Sequence, residues 1–309
     1  MNNPLISICI PAYKNDKYLE VLLNSISNQT FRDFEVIITD DSPGNEVESL
    51  CNNFHDKFRL TYLKNIPSKG SPANWNAAIK KASGRWIKIM HDDDWFSNNK
   101  SLDRFARAIN ENPGINFIFS GFSEYENGKA ISIDQLPKNI QLKLKRTALT
   151  LFKKNYIGHP STTLIKNNLT EWYDENIKWV VDFEFYIRVL KTNSFSYIDE
   201  PLINIGISHE QITKAVFRKK EVEIPENIYL LNKLGIGVLG NIWVYDYYWR
   251  LIRNLGIRHA DEMYTYLNGQ PVPNVIGSMI KYQKFIPLSL LRIGAISKLN
   301  MFLSYLINR

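Results

Sequence analysis

The sequence predicts an α/β fold in which a mixed, mostly parallel sheet carries helices on both faces. Apolar runs of strand length at Leu5–Ile10, Phe34–Thr39 and Trp86–Met90 alternate with segments whose apolar residues recur at helical spacing. Strands that alternate with amphipathic helices form parallel sheets through right-handed crossovers. The second and third runs end in acidic residues, at Asp40-Asp41 and at Asp92–Asp94. Because ligands bind beyond the carboxyl ends of such strands, both acidic groups are expected to face one crevice.

Amphipathic helices are predicted after each of these strands and before the third. Their apolar positions lie three or four residues apart: Tyr18, Leu19, Leu22, Leu23 and Ile26; Val47, Leu50, Cys51 and Phe54; Trp75, Ala78, Ile79 and Ala82; Leu102, Phe105, Ala106 and Ile109. Leu202–Ile207 is predicted to be an edge strand. Cys9 and Cys51 lie on predicted core faces, so we expect two buried thiols in a reducing compartment.

The adjacent aspartates Asp92, Asp93 and Asp94 indicate a metal site. Neighbouring carboxylates repel one another, and burying them without partners is costly. Mg²⁺ or Mn²⁺ would bind their oxygens and commonly bridges to substrate phosphates. A solvated acidic turn that caps the next helix is the alternative interpretation.

Several stretches of the chain closely resemble the inverting GT-A glycosyltransferases of family 2 (SpsA-like). They are Ser7–Asn15, Ser27–Ser42, Asn74–Ile79, Ala82–Lys88 and His91–Trp95, followed more thinly by Gly158–Ser161, Val181-Asp182 and His209–Thr213. The resemblance is lost after about Lys220. It implies a GT-A fold, a nucleotide-diphosphate sugar as donor and a divalent cation, Mn²⁺ or Mg²⁺, as cofactor.

The resemblance also implies a nucleotide site. Asp41 would accept a hydrogen bond from the uracil imide, and Pro11, Ala12 and Tyr13 would form the loop under the base. For Asp41 the alternative is a residue that only shapes a turn, and for Tyr13 it is an ordinary core or loop tyrosine. Asn76 would contribute to anion binding near a helix N-terminus, with an ordinary polar helix residue as the alternative.

Relatives usually have Leu-Asp-x-Asp-Asp where this chain has Met90–Asp94, so His91 replaces the first acid. Asp94 then matches the metal ligand and Asp93 the ribose contact. A shift of one residue would recruit Asp92 as a second metal ligand. His91 is expected to satisfy a backbone carbonyl, and donation to a phosphate is the alternative.

Asp182 is the predicted catalytic base, which must lie beneath the acceptor hydroxyl. The resemblance places the base at the start of a helix, usually after another acid, and here Val181 replaces that acid. Apolar neighbours would raise the pKa of Asp182. Glu184 is the rival base, and a helix N-cap is the alternative role for Asp182. His209, in a loop expected to fold over the donor, would hydrogen-bond the diphosphate.

These assignments predict an inverting glycosyltransferase that uses a UDP-sugar. By resemblance, its acceptor is a hydroxyl of a glycan or polyprenyl-linked glycan in surface polysaccharide biosynthesis. A metal-dependent sugar nucleotidyltransferase is one alternative, although it would normally have a glycine-rich loop where this chain has Pro11–Asn15. A non-catalytic scaffold that binds nucleotide or membrane is another.

The chain is expected to comprise a GT-A domain over residues 1–215 and a basic helical region over 216–309. After Glu262 it has five basic residues and no acidic one. An apolar stripe runs through the same tail: Leu288, Leu291, Ala295, Leu299, Phe302, Leu303 and Leu306. A basic helix with an apolar face suits an anionic bilayer. The alternative is that this stripe packs on the main domain.

Charge and hydropathy limit where the protein acts. The net charge is +7, but no stacking or recognition motif for nucleic acid accompanies it. The residues Met1–Pro4 lack a basic n-region, and no uncharged apolar run reaches the length of a spanning helix. We therefore expect a cytoplasmic protein without a nucleic-acid partner, with peripheral attachment to the inner face of the plasma membrane as a further possibility.

Overall fold

A computed structural model describes residues 3–207 and 217–309, and these divide into two compact units. The first unit comprises residues 3–148 and 156–207, and the second comprises 149–155 and 217–309. The short segment 149–155 therefore belongs with the C-terminal helices. The domain boundary expected at residue 215 lies outside the described residues and stays a prediction.

The first unit is built on a mixed sheet with nine strands among the described residues. They are β1 (Ile6–Ala12), β2 (Phe34–Asp40), β3 (Leu60–Lys64), β4 (Trp86–Ile89), β5 (Asp94–Phe96), β6 (Phe117–Glu126), β7 (Lys129–Asp134), β8 (Thr163–Lys166) and β9 (Phe195–Ile207). Their order is β3-β2-β1-β4-β8-β6-β9-β5, with β7 paired to β6. The block from β3 to β4 is entirely parallel, as is the β6–β9 pair. The antiparallel pairs are β4–β8, β6–β8, β6–β7 and β5–β9.

Helices cover both faces of this sheet. They are α1 (Asp16–Ser27), α2 (Glu46–Asn52), α3 (Ala73–Lys81), α4 (Ser101–Glu111), α5 (Lys138–Arg146) and α6 (Val181–Thr192). Along β1, Ile6, Ile8 and Ile10 join a buried cluster with residues of α1, α2 and α4. Cys9 alternates to the opposite face, where α3 contacts β1 and β2. The predicted α/β class is confirmed, and both cysteines are free and buried as expected.

The expected edge strand is instead an interior one. Leu202–Ile207 forms the second half of β9, which lies between β6 and β5. The strand β5 starts within the acidic triplet, and Asp94 pairs with Ile205. A three-residue strand that begins with an aspartate gives too little alternation to be recognised from sequence, so the prediction of an exposed edge was wrong.

The second unit is helical. Its helices are α7 (Lys220–Leu234), α8 (Ile242–Asn254), α9 (Asp261–Tyr264), α10 (Asn274–Lys284), α11 (Leu288–Leu291) and α12 (Gly294–Ile307). The chain also has short 3-10 helices at Ala148–Phe152, Pro160–Thr162 and Ile236–Gly240. Around α8 the core contains Tyr245, Tyr248 and Trp249, all nearly inaccessible. Across residues 3–207 and 217–309, no helix combines the length and the apolar character needed to traverse a bilayer.

Candidate active site

The two acidic groups lie on either side of the end of β1. This strand pairs in parallel with β2 on one side and β4 on the other, so residues that follow the three strands emerge at one edge of the sheet. The backbone N–H of Asp41 donates to the Ala12 carbonyl over 3.0 Å. From the other side, Asp92 Oδ2 accepts a hydrogen bond from the Tyr13 N–H over 3.0 Å. The segment around Tyr13 therefore links both groups.

Asp40 is a buried carboxylate whose two oxygens both accept hydrogen bonds from the chain. Its Oδ2 accepts from Lys64 Nζ and from the Tyr62 hydroxyl, each over 2.8 Å, and its Oδ1 accepts from the Ser42 N–H over 2.7 Å. Burial by itself would raise the pKa of Asp40, but these hydrogen bonds outweigh it and hold the pKa below its ordinary value. Asp40 therefore stabilises the end of β2 as an anion.

Asp41 anchors the loop that follows β3. Its Oδ1 accepts from Asn65 Nδ2 over 2.8 Å and from the Lys69 N–H over 3.0 Å, and its Oδ2 accepts from the Gly70 N–H over 2.7 Å. Gly70 has φ +72°, a left-handed conformation that glycine adopts without a steric penalty. Because a carboxylate has about four acceptor positions, one remains for a ligand such as the predicted uracil imide. The imide contact itself stays a prediction.

The predicted base-binding loop starts later than expected. β1 continues through Ala12, so Pro11 and Ala12 are buried strand residues and only Tyr13 belongs to the loop. The Tyr13 side chain is 54% exposed, and Lys14 Nζ lies 4.9 Å from the centre of its ring. An exposed aromatic face beside a cation is suited to a planar, anionic ligand.

The acidic triplet brings together a different set of groups from the one expected. Potential ligand atoms of His91, Asp93 and Asp94 all lie within 4.8 Å of one another. Asp92 is outside this group and contacts the backbone of Tyr13 instead. Two buried atoms of the group, His91 Nε2 and Asp94 Oδ2, have no hydrogen-bond partner among the described residues. The expectation that His91 satisfies a backbone carbonyl is therefore wrong for Nε2.

The electrostatics of this group fit a divalent cation. Burial, and then the neighbouring Asp93, raise the pKa of Asp94 well above its ordinary value. Burial lowers the pKa of His91 to about 3, so the imidazole is neutral and one ring nitrogen can act as a ligand. The carboxylates of Asp93 and Asp94 and the neutral imidazole of His91 form a donor set that suits Mn²⁺ and accommodates Mg²⁺.

Two backbone contacts hold the triplet in place. Ser161 Oγ accepts from the His91 N–H over 2.9 Å, and Asp94 Oδ1 accepts from the Gly206 N–H over 3.2 Å. A Cβ atom added at Gly206 would collide with the carbonyl oxygen of Asp93. The close approach of β9 to the triplet therefore requires glycine at this position.

Lys88 is a buried cation behind the triplet that the sequence analysis did not single out. It is fully buried in β4, donates to the Ser161 carbonyl, and lies with Nζ 4.8 Å from the centre of the Phe105 ring. Burial lowers its pKa, and the charge of Asp94 opposes that shift. The available signal was a single lysine in the otherwise apolar run Trp86–Met90, since lysine is rarely buried without a partner.

The two candidate bases differ in their surroundings. Asp182 is half-buried at the second position of α6, whose N-cap is Val180, so the N-cap role considered for it is wrong. Its Oδ1 accepts from the Phe183 N–H over 2.8 Å. Glu184 is only 1% exposed, and Arg188 binds both of its oxygens, over 2.7 and 3.2 Å. A buried carboxylate in such a pair is poorly placed to take a proton from a substrate.

Asn76 clamps the segment that precedes α6. Its Nδ2 donates to the Tyr173 carbonyl over 2.8 Å and to Glu175 Oε1 over 2.9 Å, and its Oδ1 accepts from the Tyr173 N–H over 3.1 Å. These contacts give Asn76 a positioning role, and its predicted contact with the nucleotide stays a prediction. His209 lies outside the described residues.

Comparison with known proteins identifies related chains. The family model described as glycosyl transferase family 2 matches residues 7–172. MJ1057 of Methanocaldococcus jannaschii, an uncharacterized glycosyltransferase, is 29% identical over 229 residues, covering 72% of this chain and 77% of the relative. WfgD of Escherichia coli, a UDP-Glc:alpha-D-GlcNAc-diphosphoundecaprenol beta-1,3-glucosyltransferase, is 25% identical over 251 residues, covering 77% of this chain and 95% of the relative.

The fold also matches solved structures. The crystal structure of S. aureus TarS 1-349 in complex with UDP superposes with a TM-score of 0.64 and 19% sequence identity, covering 98% of this chain and 92% of that one. At this identity the match supports the fold, which agrees with the GT-A architecture implied by the motifs.

Proposed function

This chain belongs to glycosyl transferase family 2, and on that premise we propose that it is an inverting, metal-dependent enzyme that transfers a sugar from UDP to a hydroxyl of a lipid-linked glycan. The observation that carries the proposal is the group formed by His91, Asp93 and Asp94, with its two unsatisfied buried atoms. It lies across the end of β1 from Asp41. The UDP-sugar named for WfgD supports the choice of donor.

In the proposed reaction Asp182 accepts the proton of the acceptor hydroxyl. The acceptor oxygen forms a bond to the anomeric carbon while the bond from that carbon to the diphosphate oxygen breaks, and the nucleoside diphosphate leaves with the electron pair. A single displacement inverts the anomeric configuration. Glu184 is unsuited to this role because Arg188 already binds both of its oxygens.

The nucleotide is proposed to bind at the end of β1. Asp41 accepts from the uracil imide through its remaining acceptor position, Tyr13 offers its exposed ring, and Asp93 contacts the ribose. A divalent cation held by Asp94 with His91 and Asp93 would neutralise charge on the diphosphate. Asp92 as a second ligand and His209 as a diphosphate contact stay predictions.

The acceptor is proposed to be a polyprenyl-linked glycan, which would place the enzyme at the inner face of the plasma membrane. The support is the relative WfgD, which is named as a glucosyltransferase acting on alpha-D-GlcNAc-diphosphoundecaprenol. Membership of family 2 disfavours the sugar nucleotidyltransferase considered from the sequence. Sugar transfer by the purified chain would distinguish an enzyme from a non-catalytic scaffold.

The test combines nucleotide binding with transfer. UDP is expected to raise the thermal midpoint more than GDP or CDP, and to do so with Mn²⁺ but not with excess EDTA, because binding to the folded state adds stability by mass action. Asp182→Asn is expected to lower sugar transfer by about a thousand-fold while UDP affinity stays within a few-fold. A preference for GDP would contradict the base assignment, and full activity of Asp182→Asn would move the base elsewhere.

Glu184→Gln provides the matched control for the base. It removes one charge two residues away from Asp182 and breaks the pair with Arg188. We expect it to lower thermal stability, with transfer per folded molecule largely retained. Loss of transfer in Glu184→Gln at unchanged stability, together with an active Asp182→Asn, would make Glu184 the base.

A further inference from the structure

Helix α12 in the second unit packs with its more polar face inward. Its buried residues are Ser297, Met301, Ser304 and Tyr305. Ser297 Oγ accepts from Trp249 Nε1 over 3.1 Å, and the Ser304 hydroxyl lies 2.7 Å from the Tyr245 hydroxyl. Hydroxyl groups thus hold α12 against α8, which is the reverse of the usual arrangement of a surface helix.

The outward face of α12 is apolar. It consists of Leu299, Phe302, Leu303, Leu306 and Ile307, which are between 42% and 72% exposed. Their spacing of three, four, seven and eight residues from Leu299 places them on one side of the helix. Leu299, Phe302, Leu303 and Leu306, which belong to the stripe predicted from the sequence, are therefore exposed. Contiguous apolar surface of this kind marks a binding site in soluble proteins.

The charged residues on α12 and in the segments next to it are all basic. Lys298 lies on α12, Arg309 lies just after it and Arg292 lies two residues before it, and all three are exposed. No acidic residue follows Glu262 in the sequence. A second copy of this surface would bring like charges together, which opposes self-association. An anionic surface complements both its charge and its apolar character.

We propose that the outward face of α12, flanked by Arg292, Lys298 and Arg309, docks on an anionic lipid bilayer. α12 has 14 residues and is about 21 Å long at 1.5 Å per residue, which is too short to span a bilayer. It would lie in the plane of the interface, with Phe302 and the leucines among the acyl chains and the basic side chains at the headgroups. The inference extends the membrane location given under the proposed function, but it is argued from α12 and not from the catalytic residues, so vesicle binding can fail while sugar transfer stands.

The test is co-sedimentation of the full chain with vesicles of phosphatidylglycerol and phosphatidylcholine, compared with pure phosphatidylcholine. Binding is expected only to the anionic vesicles and is expected to weaken with added salt. Phe302→Ser with Leu306→Ser should weaken it at least about tenfold. Arg292→Gln and Lys298→Gln should each weaken it about fivefold. Both apolar positions are exposed, so the variants are expected to stay folded, as circular dichroism would verify.

Matched controls use the same substitutions on another part of the surface. Ile131 and Ile133 on β7 are also exposed, and Ile131→Ser with Ile133→Ser should leave vesicle binding unchanged. Lys129→Gln with Lys145→Gln is the control for the loss of positive charge, and it should also leave vesicle binding unchanged. Equal binding to neutral vesicles, or undiminished binding by folded Phe302→Ser with Leu306→Ser, would overturn the proposal. A third result would also overturn it: a wild-type chain that is dimeric in solution and does not bind vesicles, and that Phe302→Ser with Leu306→Ser converts to a monomer. The apolar face of α12 would then bind a second copy of the chain and not a bilayer.

Discussion

Asp40 at the end of β2 and Asp94 beyond the end of β4 lie on either side of the end of β1, yet their carboxylates are held in opposite ways. Asp40 has three hydrogen-bond donors from the chain itself, and its pKa is lowered. Asp94 Oδ1 accepts from the Gly206 N–H, and Asp94 Oδ2 has no hydrogen-bond partner among the described residues. Burial raises the pKa of Asp94 well above its ordinary value, although Ser161 and Lys88 oppose the shift. Protein groups hydrogen-bond both oxygens of Asp40. At the other strand end, the buried atoms Asp94 Oδ2 and His91 Nε2 have no hydrogen-bond partner among the described residues.

This difference separates scaffold from ligand site. A buried carboxylate whose hydrogen bonds lower its pKa, such as Asp40, contributes to stability at neutral pH. A buried carboxylate beside another one, such as Asp94 beside Asp93, opposes folding until a cation is bound. Substitution of Asp94 should therefore reduce activity more than stability, and substitution of Asp40 should reduce stability more than activity.

Asp94→Asn should have the largest effect on activity. Losing a ligand of the proposed cation is expected to cost about 4 kcal/mol in transition-state stabilisation, or about a thousand-fold in transfer. The thermal midpoint without metal should be at least that of the wild type, because the substitution removes a buried charge next to Asp93. Transfer assays and thermal unfolding in EDTA measure the two effects. If the thermal midpoint of Asp94→Asn in EDTA falls sharply below that of the wild type, Asp94 has a structural role like that of Asp40.

Asp92→Asn is the companion variant for the metal set. Asp92 lies outside the group of His91, Asp93 and Asp94, so the stabilisation by Mn²⁺ alone should persist in Asp92→Asn and vanish in Asp94→Asn. If both variants lose it, Asp92 is a ligand, as the shifted register predicted.

Asp40→Asn should show the reverse pattern. It breaks the buried ion pair with Lys64 and the bond from Tyr62, which is expected to lower the free energy of unfolding by roughly 3 kcal/mol. Nucleotide affinity per folded molecule should change little. Urea unfolding measures the loss, and Asp33→Asn, at an exposed position one strand length earlier, is the control. Unchanged stability of Asp40→Asn would remove the contrast between the two strand ends.

The sequence was sufficient for the parallel half of the sheet, because its strands are continuous apolar runs between strongly periodic helices. The placement of Asp41 and Asp94 near the end of β1 followed from the same regularity. The order and spacing of the family motifs supplied the nucleotide and metal interpretation.

What the sequence could not provide depends on contacts between distant residues. The pairing of β5 with β9 places Gly206 against Asp93, and these residues are too far apart in the sequence for a local pattern to predict their contact. The contacts of the Asn76 amide with the Tyr173 backbone and of Lys88 with the Ser161 carbonyl also join residues that are distant in the sequence. The sequence predicted the apolar stripe of α12 but left open whether the stripe faces a bilayer or packs on the main domain, because only the burial of Ser297 and Ser304 shows which side of the helix is turned inward.

Gly206→Ala should produce a smaller effect that links the triplet to β9. The added methyl group meets the Asp93 carbonyl oxygen, and relieving this overlap is expected to cost about 2 kcal/mol. Mn²⁺-dependent stabilisation by UDP should weaken as well, because the triplet must move. Gly237→Ala is the control, since a Cβ there meets no atom within 4 Å, and it should stay within about 0.5 kcal/mol of the wild type. Equal behaviour of the two variants would show that the triplet tolerates displacement.

The smallest expected effect is a change of the Asp40 contribution with pH. Because the folded pKa of Asp40 is lowered from 3.8, its carboxylate contributes stability fully above that value. The contribution is lost as the pH falls from 3.8 toward the folded pKa, since the unfolded chain then binds the proton first. The difference in unfolding free energy between the wild type and Asp40→Asn should therefore be constant near neutrality and narrow below pH 3.8. Glu35, whose pKa is also lowered, is present in both proteins and cancels in the difference. Urea unfolding at a series of pH values measures it, and a difference that stays constant into the acid range would mean that Asp40 does not act as a stabilised anion.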